Sequence, residues 1–451
     1  MMNTALLLDL YELTMAQSYF TYRRSTRATF DLFVRQLPAN RKYLVSCGLE
    51  DVLNYIKSLR FSRQDLEYLK RQRLFSGEFL KFLSGLRFTG DAYAMPEGEI
   101  FFADEPLMRV TAPVIEAQIL ESLLLNAVNL QSMIASKASR VVTAAKDRRV
   151  YDFSLRRTHG AEAGLKVARA AYLAGCSGTS NVLAGALYGI PVAGTMAHSF
   201  VMSFKHEIDS FLAYAETFPQ KSILLVDTYD TVKGIKNAIT VALYLKEKGF
   251  RLQGIRLDSG DIVGLSKRAR RMLDAAGLDY VRIFASGNLD EGKIRDCLKK
   301  GALIDSFGVG TNMGTSSDAP SLDVIYKLSE VTDEEGEFLP VMKLSKGKVT
   351  YPGRKQVFRV SDKKGKYLKD IIGLEKEKIE GRPLLVKVIA AGKVIYRKPP
   401  LDKSRDFLRQ NLNRFPQGMK EISSGYGYPV TVSAGLKRLR KRLSGELSKR
   451  Q

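Results

Sequence analysis

Several short stretches of this 451-residue chain combine residue types that can do chemistry. In Arg256-Leu257-Asp258-Ser259-Gly260-Asp261 a cation and two carboxylates surround what reads as a strand end. Alternation along a strand puts Arg256 and Asp258 on one face, so both can enter one cavity. There Asp258 can take the hydroxyls of a ribose and Arg256 an anionic ring; a structural ion pair is the other reading. Ser286-Gly287-Asn288 and Gly308-Val309-Gly310-Thr311 each follow an apolar run. Glycines let backbone N–H groups approach a phosphate, and the Thr311 hydroxyl adds a donor. Asp152-Phe153-Ser154-Leu155-Arg156-Arg157 offers an aromatic face for stacking and two guanidiniums for phosphate or carboxylate, or else is only a basic strand end. In Gly194-Thr195-Met196-Ala197-His198-Ser199-Phe200 the imidazole of His198 can act as a base or as a phosphoryl acceptor, although most histidines do neither.

These residues need elements to position them. From about Pro113 a long helical stretch, Val114–Ala145, precedes short apolar runs that alternate with helical segments. The runs are Val150–Phe153, Pro191–Gly194, Ser222–Asp227, Gly254–Asp258, Tyr280–Ala285 and Leu303–Phe307. Strands separated by one helix-sized crossover indicate parallel βα units. Four of them end in a polar or glycine-rich cluster, the fourth being Asp227-Thr228-Tyr229-Asp230. Chemistry at several strand ends favours an α/β barrel over an open doubly wound sheet, which concentrates its site at one switch point. The first hundred residues read as α+β: helices Leu6–Phe20, Gly48–Ser58 and Phe61–Leu86, with strands Ala28–Val34 and Phe88–Ala94. After Lys327 the alternation stops. An acidic loop, Glu330–Glu337, and strand-like pieces around Lys348–Tyr351 and Gln356–Val360 follow, in a third domain or a return onto the first. The expected division is 1–112, 113–328 and 329–451.

Composition narrows the class. Hydrophobic residues make up 45% and charged residues 26%, as in a globular protein, and no stretch has the length and apolarity of a membrane helix. The first residues, Met1-Met2-Asn3-Thr4-Ala5, carry no basic region of a secretory signal. Cys47, Cys176 and Cys297 are odd in number and far apart, which argues for a reducing cytoplasm and against a disulfide framework. With His159, His198 and His206 they argue against a structural zinc site, and no metal ligand is assigned. The net charge of +23 suggests a polyanionic partner. Yet the basic residues are spread along the chain, and the dense run Lys437–Arg442 has Leu436, Leu439, Leu443 and Leu447 at helical spacing. That pattern reads as a solvated helix docked by its leucines, not a nucleic-acid tail.

Taken together and in order, these segments resemble nicotinate phosphoribosyltransferases. So do Asp9-Leu10-Tyr11-Glu12-Leu13-Thr14-Met15, Asn129-Leu130-Gln131, Ser136-Lys137-Ala138-Ser139-Arg140, Ser177-Gly178-Thr179-Ser180-Asn181 and Pro352-Gly353-Arg354-Lys355-Gln356. The resemblance implies an irregular, type II phosphoribosyltransferase-like α/β barrel with an α+β domain built from both terminal segments, in a homodimer. It implies ATP-coupled synthesis of nicotinate mononucleotide from nicotinate and 5-phosphoribosyl 1-diphosphate, with Mg²⁺, in NAD biosynthesis. His198 matches a transiently phosphorylated histidine. Tyr11, Thr195 and Arg256 match nicotinate-holding positions, and Phe153 and Arg156 a stacking aromatic and an anion-binding arginine. Asp258 matches a ribose ligand, and Gly287, Gly310 and Thr311 the phosphate cradle, to which the strand-end reading adds Ser286, Asn288 and Gly308. Ser154 and His159 depart from the family, which usually has glycine and glutamine there. Three rivals stand beside this reading: a nicotinamide-using relative, a nucleic-acid-binding protein and a non-catalytic barrel.

Overall fold

The structure, a computed structural model, describes residues 5–344, 350–422 and 427–449. The chain forms two compact units, residues 1–133 with 321–451, and residues 134–320. The first division falls inside the helix Glu121–Ala145, not ahead of it as the expected boundary at 113 has it.

In the first unit seven strands make an antiparallel sheet in the order Phe338–Pro340, Val324–Thr332, Arg27–Val34, Pro106–Pro113, Asp91–Ala94, Val386–Ala390, Lys393–Val394. Val324–Thr332 lies beside Arg27–Val34, so the chain after Lys327 returns onto the N-terminal elements. The expected acidic loop is narrower than its sequence suggested: Glu330 to Thr332 pair with Phe338 to Pro340, leaving only the turn between them. The expected helix Phe61–Leu86 is two helices, Arg63–Arg71 and Gly77–Gly85. Ser62 and Asp65 form a reciprocal cap on the first, Ser76 caps the second, and Arg73 between them is left-handed at φ 57°. Val114–Ala145 is likewise interrupted, as Val114–Gln118 and Glu121–Ala145. Gln356–Val360 lies within strand Lys355–Ser361, whereas half of the Lys348–Tyr351 piece lies outside the described residues and Thr350 and Tyr351 are in no strand. The basic helix Ala434–Ser448 has the expected faces: Leu436 is buried and its fellow leucines half-buried, while Lys437, Arg438, Lys441 and Arg442 are exposed.

Buried charge ties this unit together. Arg359, fully buried on strand Lys355–Ser361, is held 2.6 Å from Glu99 and 2.6 Å from Asp370 and donates to the Ile100 carbonyl at 2.7 Å. Tyr367 and Phe415 flank its guanidinium at 5.1 and 4.9 Å. The Asp9–Met15 motif is explained within the same unit. Glu12 is buried at the start of helix Leu10–Tyr22 and accepts the Ser122 N–H at 3.0 Å, while Asp9 accepts the Ser122 hydroxyl at 2.6 Å.

The second unit carries a parallel sheet of six strands: β1 (Arg149–Asp152), β2 (Gly178–Thr179), β3 (Ile223–Leu225), β4 (Gly254–Leu257), β5 (Arg282–Ala285) and β6 (Ser306–Val309). Their order is β2-β1-β6-β5-β4-β3. Except for β2 and β3, which lie at opposite edges, strands adjacent in sequence are therefore neighbours, and the last pairs with the first. Pro191–Gly194, expected as a strand, contributes a single parallel bridge, Val192 to Thr179. Conversely, Gly178–Thr179, too short for its alternation to register, is a strand. β6 lies further along than the apolar run Leu303–Phe307 suggested, because Gly308 and Val309 continue the ladder opposite Tyr151 and Asp152. Leu224, Ile255, Leu257 and Ile283 face helices Thr231–Glu247 and Ile262–Ala275 through Ile235, Val241, Leu245 and Leu273, all within about one per cent of full burial. Each such side chain contributes roughly 1.5–3 kcal/mol through its burial. Asp230 and Asp290 cap the helices that follow β3 and β5, which fixes where those loops end.

Two outcomes are expected of the first unit. Arg359→Ala leaves Asp370 buried without its cation and Glu99 with Arg382 alone, so denaturant unfolding should show a loss of about 3–5 kcal/mol. Burial pushes the Glu12 carboxyl up to about 7 from 4.5, against the lowering effect of its bonds from Ser122. The folded state thus keeps a proton that the unfolded chain releases in that window. The stabilisation is complete below pH 4.5 and is lost as pH rises through about 7. Glu12→Gln should flatten this fall by about 1–3 kcal/mol in unfolding measured across the window; an unchanged pH profile would refute it.

Candidate active site

Strand β4 sends Ile255 and Leu257 into the core, so Arg256 and, beyond the strand end, Asp258 point the other way. Arg256 then meets three other parts of its unit. Its Nε donates to Ser286 Oγ at 2.8 Å, one terminal nitrogen to Thr195 Oγ1 at 2.9 Å and the Met196 carbonyl at 3.3 Å, and the other to Asp258 Oδ1 at 2.7 Å. The Phe153 ring lies 5.9 Å from the guanidinium carbon. Residues far apart in sequence, at 153, 195, 256, 258 and 286, are thus brought to one place.

Asp258 is held as an anion. Burial would raise its pKa, but hydrogen bonds from Ser286 and Arg256 and the charges of Arg256 and His198 outweigh this and hold it below the ordinary carboxylate value. His198 opens the short helix His198–Met202, with Nδ1 3.1 Å from Thr228 Oγ1 and Nε2 3.8 Å from Asp258 Oδ2. With Nδ1–H donated to Thr228, Nε2 keeps a lone pair; the hydroxyl as donor gives the opposite tautomer. The imidazole is 39% exposed, open to a reactant.

Two residues that the sequence reading left unassigned complete this corner. Asp227 accepts the Asp258 N–H at 3.0 Å and the Ser259 hydroxyl at 2.6 Å, and Thr228 orients His198. The signal was present in the parallel between Val226-Asp227-Thr228 and Leu257-Asp258-Ser259, two strand ends that each close on an aspartate and a hydroxyl.

The glycines divide by purpose. Gly287 has φ 95°, and a Cβ there would stand 1.9 Å from the Asp258 carbonyl oxygen, so no side chain fits. Gly308 lies within β6, where a Cβ would strike the Phe153 ring at 2.6 Å; its absence seats that ring, which stacks on Phe284 at 5.6 Å. Gly310 and the exposed Thr311 form the turn after β6. Asn288, at φ 49°, is tied to that turn by the Asn312 amide, which donates to its side-chain oxygen at 2.9 Å.

Arg156 and Arg157 lie on the single turn Leu155–Arg157, exposed and without partners among the described residues. Ser154 is buried in ordinary right-handed backbone, and its N–H and hydroxyl both bond Asp152 Oδ1, at 3.0 and 2.5 Å. Gly314 leaves the room it needs, since a Cβ there would lie 2.2 Å from that of Ser154. His159 is exposed in the following loop. Tyr11 belongs to the first unit, half-exposed on helix Leu10–Tyr22. Burial, aided by Glu121 and Glu12, raises its hydroxyl pKa. The remaining motifs are structural ties. Lys137 and Arg140 hold the buried Glu291 at 2.5 and 3.1 Å, Lys355 holds Asp31 at 2.8 Å, and Gln131 donates to Asp51 at 2.7 Å.

Comparison with known proteins shows which family this chain is similar to. The nicotinate phosphoribosyltransferase N-terminal domain matches residues 6–129, the nicotinate phosphoribosyltransferase family residues 148–369, and the corresponding C-terminal domain residues 378–440. A nicotinate phosphoribosyltransferase of Mycobacterium tuberculosis is 47% identical over 447 residues, covering 99% of this chain and 93% of the relative. That of Bacillus subtilis is 39% identical over 455 residues, covering 94% and 92%. The crystal structure of human nicotinic acid phosphoribosyltransferase superposes with a TM-score of 0.86 at 29% identity, over 96% of this chain and 99% of the human one. A nicotinate-nucleotide pyrophosphorylase from Pyrococcus furiosus gives 0.73 at 27% identity, over 91% and 96%. With the strand-end residues assembled and all three domains matched in order, the chain belongs to the nicotinate phosphoribosyltransferase family of enzymes.

Proposed function

We propose that this protein joins nicotinate to the phosphoribosyl group of 5-phosphoribosyl 1-diphosphate, giving nicotinate mononucleotide and pyrophosphate, with coupled hydrolysis of ATP to ADP and phosphate. The observation that carries the reading is the single guanidinium of Arg256 bonded to Thr195, Asp258 and Ser286 beside the Phe153 ring. That arrangement suits a flat anionic ring: Phe153 stacks on it, and Arg256, Thr195 and Arg156 meet its carboxylate. Asp258, kept ionised, accepts from the ribose hydroxyls and offsets positive charge at the anomeric carbon, which develops an oxocarbenium character as in glycoside hydrolysis. The nicotinate ring nitrogen bonds to that carbon as its bond to the diphosphate oxygen breaks. Backbone N–H groups of the loops at Ser286–Asn288 and Gly310–Thr311 receive the phosphates, with Gly308 making space for the stacking ring.

His198 is the phosphoryl acceptor in this reading. Transfer of the γ-phosphoryl group of ATP to an imidazole nitrogen adds negative charge beside Asp258, and its hydrolysis restores the free base, so ATP use can alter the affinity for the other substrates. Mg²⁺ is expected with the diphosphate. Among the described residues no group of three or more His, Cys, Asp or Glu side chains is arranged to hold a metal, which suits an ion carried in largely by substrate oxygens and water. When bound, it would neutralise the leaving diphosphate.

Several coarser features belong to the same reading. The sheet is an irregular barrel: sequential strands other than β2 and β3 are neighbours and β6 returns to β1, although no ladder among the described residues joins Val192 to β3. The protein is a homodimer, with Tyr11 contributing to a nicotinate site. It works in the cytoplasm in NAD biosynthesis; Cys47, Cys176 and Cys297 are not joined in disulfides, and no helix among the described residues is long and apolar enough to cross a membrane.

Pyrophosphate release with nicotinate, with and without ATP, tests the reaction; preference for nicotinamide over the acid would exclude it. His198→Asn is expected to abolish ATP coupling while leaving weak, uncoupled transfer, so full ATP-dependent activity in that variant would remove the phosphohistidine. Gly287→Ala, which must displace the Asp258 carbonyl, should lower kcat/KM by about a hundredfold or more. A near-normal value would mean the loop after β5 does not shape the site.

A further inference from the structure

The first unit contains a cavity of about 710 Å³ that the proposed reaction does not use. Its wall is the inner side of helix Leu49–Ser58, where Leu49, Leu53 and Ile56 share a face, continued by Leu59 and Phe88. Val394, 36% exposed on the hairpin end Lys393–Val394, also lines it.

The charges around this apolar wall do not balance. Both acids are engaged: Glu50 pairs with Lys398, and Glu97 accepts the Gly48 N–H at 2.8 Å. Four further cations line the same cavity. Lys57, Arg60 and Lys393 have no ion pair or side-chain hydrogen bond among the described residues, and Arg87 donates only to the carbonyl of its neighbour Leu86. Exposed positive groups around an apolar concavity set up a field that attracts an anion. A volume in the range of roughly 300–1,000 Å³ is that of a small-molecule site.

We propose that this cavity binds a small amphipathic anion, a compact apolar or aromatic body carrying a sulfonate, carboxylate or phosphate group. The body rests on Leu53, Ile56 and Phe88, and the acidic group meets Lys57, Arg60, Arg87 and Lys393. Of the reactants proposed above, phosphoribosyl diphosphate has no apolar body, and nicotinate, a single ring, would leave most of the cavity of about 710 Å³ unfilled.

Titration of the full-length protein with anilinonaphthalene sulfonate, followed by fluorescence and calorimetry, tests this. N-phenylnaphthylamine, the same ring system without the sulfonate, is the control. The expected result is saturable binding of about one sulfonate per chain, undisturbed by excess nicotinate and phosphoribosyl diphosphate. The exposed double variant Lys57→Glu/Arg60→Glu should weaken it by roughly tenfold or more, with the neutral probe little changed. Val394→Trp should weaken both probes by filling the cavity. Absence of saturable binding, displacement by the substrates, or a sulfonate affinity unchanged in the charge-reversed variant would each overturn the proposal. Should Val394→Trp fail to fold, the charge-reversed variant decides alone. The readout is binding, so it stands whether or not the enzyme turns over nicotinate.

Discussion

Arg256 presents its N–H donors in a fixed plane, and the residues that satisfy them come from three separate segments of the second unit. Its side chain is only 14% exposed, so leaving any of those donors unmet would cost desolvation that water could not repay. The loop at Thr195–Met196, the end of β4 and the end of β5 must therefore reach their positions together. Once they do, Asp258 is ionised and Ser286 is oriented. His198, held by Thr228, faces the same carboxylate. Lysine at position 256 could supply the charge but not the planar fork, which is what sets the angles between these loops.

Close approach of backbone supports the same geometry. The missing side chain of Gly287 lets the loop after β5 touch the Asp258 carbonyl, and that of Gly308 lets Phe153 lie against Phe284. Ser154 shows how a departure from the family pattern is absorbed. Its Cβ sits in space left by Gly314, and its hydroxyl gives the buried Asp152 another donor. Burial nonetheless raises the pKa of Asp152, so its partners Ser154 and Thr179 offset that cost only in part. His159, exposed in the next loop, meets no such constraint.

The first unit depends on buried charge of another kind. Arg359 joins Glu99, from the N-terminal half, to Asp370, from the C-terminal half, and Lys355 does the same for Asp31. Two segments separated by the whole second unit are thus tied by pairs that are costly to break, although not necessarily better than apolar packing would be. The motif Pro352–Gln356 belongs to this tie: Arg354 reaches Glu330 at 2.7 Å, and Lys355 also donates to the Gly353 carbonyl at 2.8 Å.

The sequence by itself determined the parallel βα succession and the polar strand ends, because both are local: alternation, crossover length and glycine placement are written within a few residues. It marked Arg256, Asp258 and His198 as chemical candidates, and the ordered motifs identified the family. Local pattern could not separate Phe61–Leu86 into two helices, nor show that Gly308 belongs to a strand, since these follow from capping by Ser62 and Ser76 and from pairing with a strand more than a hundred residues earlier. Nor could it distinguish an ion pair from a site. Only tertiary structure gave Arg256 its partners at Thr195 and Ser286, selected Asp227 and Thr228 as supports, and turned the Lys137–Arg140 and Pro352–Gln356 motifs into ties. Hydrogen bonds between distant residues depend on where separate strands end in space, and no periodicity along the chain encodes that distance.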